Sequence, residues 1–474
     1  MQPRPAGLGE LFEAQRAAHR AEPHVGVGLR VDRLDRAIDL LIGNQQRFCA
    51  ELAADFGQRP VELSRFMDLF PAIHGLQFAR KHVRRWMRPQ RRPLGLPMGV
   101  PGTRGTIEPQ PLGVVGVVSP WNFPVALTFG PLAGILAAGN RCVLKPSELT
   151  PRVSELMREL VSKSFDPSEL AVVTGGADVA RAFVSLPFDH VIFTGSTRVG
   201  REVMLAAAQH LVPVTLELGG KCPVIIGRTA GLKRAVDRIL MAKLANAGQM
   251  CLAPDYVCVP RESVDEFIEL GTQWAWRAYR NLPANSDYTS LVSEQHVARI
   301  AALKADAIAK GATIIPLGAD GPSPPDSRLV TPALIAGATP DMRVMQEEIF
   351  GPLLPVNPYD RLEEVIDDLN RRERPLALYY FGNDRAEERT LLQRTISGGV
   401  TVNDVAVHFL AEELPFGGVG ASGIGAYHGE YGFRRFSHER AVFHQSRLDL
   451  AGLVGLRPPY TSRLRRSLSL LIRR

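Results

Sequence analysis

No stretch of the 474-residue chain strings together the roughly 18 apolar residues that a membrane-spanning helix needs. Residues Met1 to Glu10 lack the charged-then-apolar pattern of a secretory leader. The five cysteines, Cys49, Cys142, Cys222, Cys251 and Cys258, are odd in number and scattered, with no C-x-x-C. That excludes a disulfide framework and a thiolate metal site, so no metal is expected; it points to a reducing cytoplasm where a thiol stays available. Internal repeats and low-complexity tracts are missing. A one-signed charge excess is also absent from the body of the chain. The net charge is +7, but residues 457–474 hold six arginines and no acid, leaving +1 for the rest. A second basic run, from Arg80-Lys81 through Arg84, Arg85, Arg88, Arg91 and Arg92, reads as a solvated helix face and a Pro-punctuated linker, and no nucleic-acid partner is expected. In the tail, Leu464, Leu468, Leu471 and Ile472 stand near helical spacing among Arg463, Arg465, Arg466, Arg473 and Arg474. A membrane-surface helix is one reading of them. An oligomer-packing or disordered tail is the preferred one.

What is present is ordinary for a globular protein of two or three domains: 45% hydrophobic and 22% charged residues. Residues 8 to about 85 read as helical, with Leu34, Ile38, Leu41 and Ile42 on one stripe and Phe48, Leu52 and Phe56 continuing it. From Pro89 to Gln110 the pattern breaks into Pro, Gly and Arg, a connection or a projecting hairpin. Strands then alternate with helices. Val114 to Val118, Cys142 to Leu144, Ala171 to Val173 and His190 to Phe193 each end in small, polar or charged residues. Alternation of this kind predicts parallel β-α-β units, whose ligands lie beyond the carboxyl ends of the strands. The alternation resumes through Val224-Ile225-Ile226, a helix near 232–246 and Tyr256 to Val259, with Gly318 to Pro325 the most loop-like stretch. The expected division is 1–216 as a dinucleotide-binding domain, with about 90–110 projecting from it; 217–400 as a second, catalytic α/β domain; and 401–474 as a return and oligomerisation segment.

Several short stretches carry chemistry, each with a plainer alternative. Asn246-Ala247-Gly248-Gln249-Met250-Cys251-Leu252-Ala253-Pro254 puts one thiol at a bend between a glycine and a proline. Cys251 is either a nucleophile or a small buried hydrophobe. Gly195-Ser196-Thr197-Arg198-Val199-Gly200 follows a strand and opens a helix, as a phosphate cradle or an ordinary β-α turn would. It is neither G-x-G-x-x-G nor a Walker loop. Lys145 and Glu148 suit ribose hydroxyls, or Ser147 caps a helix with Glu148 in its first turn. Glu217 ends an apolar strand before Leu218-Gly219-Gly220, as a general base or a solvated strand-end carboxylate. Asn122, after Trp121, is an oxyanion donor or a turn former.

Together these stretches resemble the aldehyde dehydrogenase superfamily over about residues 10–460. The motifs are Pro120-Trp121-Asn122-Phe123-Pro124, Lys145-Pro146-Ser147-Glu148, Leu216-Glu217-Leu218-Gly219-Gly220-Lys221 and Glu347-Glu348-Ile349-Phe350-Gly351-Pro352. Cys251-Leu252-Ala253-Pro254-Asp255-Tyr256, the run Pro415 to Gly423, Tyr427-His428-Gly429 and Pro458-Pro459-Tyr460 are similar to the coniferyl aldehyde dehydrogenase group near the class 3 branch. The resemblance implies an α/β fold with a Rossmann-like cofactor domain, a catalytic domain and a small oligomerisation segment, assembled as a homodimer. It implies oxidation of an aldehyde, aromatic in this branch, to the free acid. Cys251 would attack the aldehyde carbon, Asn122 and the Cys251 backbone N–H would stabilise the oxyanion, and Glu217 would activate water against the thioester. Trp121, Lys145, Glu148, Gly195, Ser196, Gly200, Leu218, Gly219, Glu348 and Phe350 would bind the cofactor. NAD is expected, since the Glu148 carboxylate would repel a 2′-phosphate, with NADP possible. Cys222 and Met250 stand where other residues are commoner in the family. Two rival expectations keep the same fold: a CoA-acylating enzyme, and a scaffold without turnover.

Overall fold

The computed structural model describes residues 7–95, 99, 101–282, 285–318, 327–447 and 457–472. The loop expected at Gly318 to Pro325 falls outside the described residues from 319 on, as do Arg473 and Arg474. The chain divides into two units: Met1–Trp86 with Pro111–Ser437, and Met87–Gln110 with His438–Arg474.

The larger unit holds two sheets. One has six strands in the order Gly423–Ile424, Val214–Leu218, His190–Gly195, Val114–Val118, Arg141–Lys145 and Leu170–Val172. All neighbours are parallel except the first pair, where Gly423 lies opposite Glu217. The chain moves outward from Val114–Val118 to one edge, then returns to add His190–Gly195 on its other side. That reversal opens a crevice at the carboxyl ends of these two strands, where Trp121-Asn122 and Gly195-Ser196 stand. Both strands are apolar because both faces are covered: every residue of Val114–Val118 is buried.

The second sheet runs Thr313–Pro316, Ala333–Ala336, Leu353–Tyr359, Tyr256–Pro260, Pro223–Ile226, Ala377–Phe381 and Gly399–Val402. It is parallel apart from its first pair. Leu218-Gly219-Gly220-Lys221-Cys222 leads from the carboxyl end of the first sheet to the amino end of the second. Cys251 and Glu348 also lie just before strands of the second sheet. The expected chemistry therefore collects where strand ends of opposite polarity meet.

One helix start departs from expectation. Ser147 and Glu148 lie in a turn, with Ser147 Oγ accepting from the Leu149 N–H at 3.2 Å. The helix begins at Pro151. Its cap comes from elsewhere: Asp55 accepts from the N–H groups of Arg152 and Val153 at 3.2 and 3.0 Å. Proline at the first helical position loses no bond, which fixes the start there.

The N-terminal residues expected to be helical are so, and one buried ion pair ties them to the crevice. Arg59 and Asp68 meet at 2.8 Å with both side chains at 0% exposure. Asp68 Oδ1 accepts from the N–H groups of Val125 and Ala126, each at 2.8 Å, capping the buried helix Ala126–Ala138. Arg59 donates to the Asn122 carbonyl at 2.9 Å. The pair thus sets the turn that carries Asn122.

The smaller unit is a three-stranded sheet ordered Gln90–Arg92, Arg104–Pro111 and Ser437–His444, with Arg440 paired to Glu108 at 2.9 Å. The first two strands form an antiparallel hairpin. A helix, Ser462–Leu471, follows. No helix among the described residues is long and apolar enough to cross a membrane.

Removing one partner of the buried pair leaves the other charge uncompensated, at a cost of about 3–5 kcal/mol. Asp68→Ala should lower the thermal unfolding midpoint, and the double replacement Arg59→Met with Asp68→Leu should lower it less. Equal midpoints for Asp68→Ala and the parent protein would show that the pair does not hold this corner.

Candidate active site

The helix Leu232–Leu244 is followed by three consecutive residues in the left-handed region: Asn246 at φ 51°, Ala247 at φ 53° and Gly248 at φ 75°. For alanine this is strained, at about 1–2 kcal/mol, and neighbours must hold it. Asn246 Nδ2 donates to the carbonyls of Asn122 and Gln249, both at 3.2 Å. Gln249 is fully buried; its Nε2 donates to the carbonyls of Asn246 and Ser290 at 2.9 and 3.1 Å, and its Oε1 accepts from the Val292 N–H at 2.9 Å. Beyond the turn, the Tyr379 hydroxyl donates to the Leu252 carbonyl at 2.7 Å, and the Cys222 thiol to the Cys251 carbonyl at 3.3 Å. Cys251 is the one partly exposed cysteine; the other four are buried.

Three acidic groups share this region. Burial pushes the Cys251 thiol up to about 12, and the carboxylates of Glu348 and Glu217 add to it, against N–H groups of Cys251 and Leu252. Burial raises Glu217 well above the usual carboxylate range, partly offset by Arg435. Neither Glu217 oxygen has a hydrogen-bond partner among the described residues. Glu348 is pushed up to about 8 by burial and by Asp255, opposed by the Gly220 N–H, Lys221 and Arg299.

Asn122 is buried and donates one amide hydrogen to the Gln249 carbonyl at 3.2 Å. The Trp121 ring meets Phe350 edge-on at 5.4 Å and His296 at 4.9 Å. Phe350 adopts φ 47°, and Arg299 donates to the carbonyls of Glu348 and Ile349 at 2.5 and 2.7 Å. A Cβ on Gly219 would come within 2.0 Å of the Glu348 carboxylate, so a larger residue would displace that side chain. Gly200 admits the Leu218 side chain in the same way, with a hypothetical Cβ 2.6 Å from Leu218 Cδ2. Ser196 is exposed and caps the helix Thr197–Ala208, accepting from the Val199 N–H. Gly195 ends the strand just before it. Lys145 and Glu148 pair at 3.2 Å, the lysine buried and the carboxylate 48% exposed.

The expected residues thus form one core around Cys251, Glu217, Asn122, Trp121, Gly219, Glu348 and Phe350. Gly195, Ser196, Gly200 and Leu218 form a flank along the first sheet, and Lys145 and Glu148 sit at the end of another strand. Sequence reasoning missed the framework. Lys221 binds Asp255 and donates to the carbonyls of Val344 and Glu347 at 2.7 and 2.9 Å. Asp255 accepts the Ile349 N–H at 2.9 Å. Both residues stand inside quoted motifs, which was the available signal. Gln249 stands inside a quoted stretch as well, and Arg59 carried no signal.

Beside Glu348 lies a cleft of about 460 Å³, lined among others by Thr197, Gly219, Gly220, Lys221 and Ala421. Among the described residues no cluster of three or more His, Cys, Asp or Glu could hold a metal ion.

A cysteine with two carboxyl groups near it, beside a crevice at the carboxyl ends of parallel strands, is the arrangement set against known proteins. The sequence profile described as the aldehyde dehydrogenase family matches residues 6–442. A coniferyl aldehyde dehydrogenase of Pseudomonas sp. strain HR199 is 46% identical over 467 residues, covering 98% of this chain and 96% of that protein. The substrate-bound state of Staphylococcus aureus AldH superposes with a TM-score of 0.92 at 34% identity, covering 98% and 100% of the two chains. A Mycobacterium tuberculosis aldehyde dehydrogenase complexed with NAD+ gives a TM-score of 0.84 at 28% identity, covering 94% and 92%. The chain belongs to the aldehyde dehydrogenase family, and is an enzyme that oxidises aldehydes.

A thiol with so high a proton affinity reacts only through its minor thiolate form. Iodoacetamide should therefore label Cys251 of the free protein at a rate rising about tenfold per pH unit from about pH 7 to 10. Mass spectrometry of the labelled peptide reads this directly, and a plateau near pH 8 would contradict the environment described.

Proposed function

We propose that this enzyme oxidises aryl-propenals such as coniferyl aldehyde to the carboxylic acid, with NAD as electron acceptor. The carrying observation is the clamped left-handed turn that presents Cys251 beside a buried, unpartnered Glu217. Once deprotonated, Cys251 attacks the aldehyde carbon. Asn122 has spent one of its two amide hydrogens on Gln249 and keeps the other for the oxyanion, alongside the Cys251 N–H. After oxidation the acyl group stays on the sulfur as a thioester. Glu217, with no competing hydrogen bond, then takes a proton from water as the water attacks.

The polar atoms at the strand ends suit a dinucleotide. Lys145 and Glu148 would hold the adenosine ribose, and Ser196 at its helix N-terminus the pyrophosphate. Glu348 would hold the nicotinamide ribose over the bare Gly219-Gly220 backbone, and Trp121 with Phe350 would border the ring. When bound, the dinucleotide supplies the hydride acceptor. The half-exposed Glu148 carboxylate disfavours a 2′-phosphate. The coniferyl class rests on the name of the Pseudomonas relative. A second copy of the chain is the partner we propose, because the exposed eight-residue strand Ser437–His444 ends its sheet with an edge unpaired among the described residues. Light scattering should give twice the monomer mass; a monomer would end that reading.

Cys251→Ala should abolish NADH formation, and Asn122→Ala should slow it on the order of 10²–10³-fold. Glu217→Gln should give about one NADH per site followed by slow turnover, because acylation outruns hydrolysis. Full activity in Cys251→Ala would overturn the scheme. Acceleration only when CoA is added would point to acyl transfer in place of hydrolysis. The ratio of kcat/KM for NAD and NADP should favour NAD.

A further inference from the structure

A small hole opens in an aromatic wall of the larger unit. It is bordered by Pro71, His74, Ala126, Phe409, Glu412 and His428 and has a volume of about 10 Å³, room for about one water-sized group. We propose that Glu412 determines substrate specificity by accepting the phenolic O–H of a 4-hydroxyaryl aldehyde. The inference rests on the aryl-propenal reading above and names the residue that would enforce it.

The Glu412 side chain is only 11% exposed, yet it makes no close ion pair: its nearest basic neighbour, His74 Nδ1, is 4.0 Å away and 43% exposed. Glu412 Oε2 accepts from the Gly429 N–H at 3.2 Å. Oε1 has no hydrogen-bond partner among the described residues. The helix Phe70–Trp86 leaves a glycine beside it, because a Cβ on Gly75 would sit 3.1 Å from Oε1. A single N–H contact does not require a carboxyl group, and Oε1 stays open to an incoming donor. A donor arriving with the substrate would use that oxygen. Burial pushes this carboxyl up to about 7, so it holds protons more tightly than an ordinary glutamate. A second unused polar atom lies in the same wall: His428 Nδ1 is buried and has no partner. It can serve the oxygen of an ortho substituent such as a methoxy group.

The surroundings fit an aromatic ring. His428 stacks on Phe416 at 5.2 Å, and Phe409 meets Phe416 and His428 edge-on at 4.9 and 5.0 Å. The wall also reaches the reacting atoms. Tyr427 is buried, and its hydroxyl is raised by burial first and then by Glu217, Cys251 and Glu412 together. Those three groups therefore lie around one tyrosine side chain. Ala126, which borders the hole, opens the helix that follows Asn122, so the hole lies close to the proposed oxyanion donor. An aryl-propenal carries its carbonyl and its phenolic oxygen at opposite ends of one ring and a two-carbon link, and can engage both groups.

The test compares coniferyl aldehyde, its 4-O-methyl ether and unsubstituted cinnamaldehyde, in the parent enzyme and in Glu412→Gln and Glu412→Leu. A hydrogen bond to a charged acceptor predicts that the parent prefers the free phenol over its methyl ether by about ten- to a hundredfold in kcat/KM. The preference should lie in KM, with kcat little changed, which a merely structural role would not produce. In Glu412→Leu the ratio should fall to near one. No preference in the parent enzyme overturns the inference even if neither variant folds. A preference that survives in both variants overturns it while leaving the aryl-propenal reading intact. No turnover of any aryl aldehyde, with turnover of hexanal, overturns both.

Discussion

The rest of the site depends on how little negative charge its pocket can carry. One thiol and two carboxyl groups lie together, burial raises the proton affinity of all three, and both carboxylates raise that of the thiol further. The cations nearby are committed: Lys221 is held by Asp255 and two carbonyls. Lys243 is buried without a hydrogen-bond partner, and burial brings it down to about 8, so it too is a weakened charge. Burial of these groups disfavours accumulation of negative charge in the pocket. That suits a reaction in which charge passes from sulfur to oxygen and is then carried away.

The fold meets this requirement with strand ends. The first sheet contributes Asn122 and Glu217 from its carboxyl ends, and the second contributes Cys251 and Glu348 from just before its strands. The connection through Gly219-Gly220 is short and lacks side chains, so the two sets approach closely. The returning pair Gly423–Ile424 adds an edge strand whose Gly423 lies opposite Glu217.

Legibility followed the range of the interactions. Strands such as Val114–Val118 were visible because a fully buried strand is a continuous apolar run. Cys251, Glu217 and Asn122 were ambiguous singly and became legible only as a set of motifs. The helix after Lys145 was started too early because its cap, Asp55, lies 97 residues before the N–H of Arg152 that it binds. Nothing local marks Asp55 as a cap. Arg59 and Asp68 were unreadable for the same reason: a buried ion pair depends on a partner that hydropathy cannot indicate. Gln249 is buried only because every one of its polar atoms is matched, and that matching exists only in three dimensions.

The glycine before the reactive cysteine has a wider consequence. A Cβ on Gly248 would lie 2.3 Å from the carbonyl oxygen of Gly351, in the loop that carries Glu348 and Phe350. The two backbones interlock like the teeth of a zip, with no compressible side chain between them. Any larger residue at position 248 would have to push the loop of Glu348 away from the turn that carries Cys251, so the spacing of the two loops is set by a missing side chain.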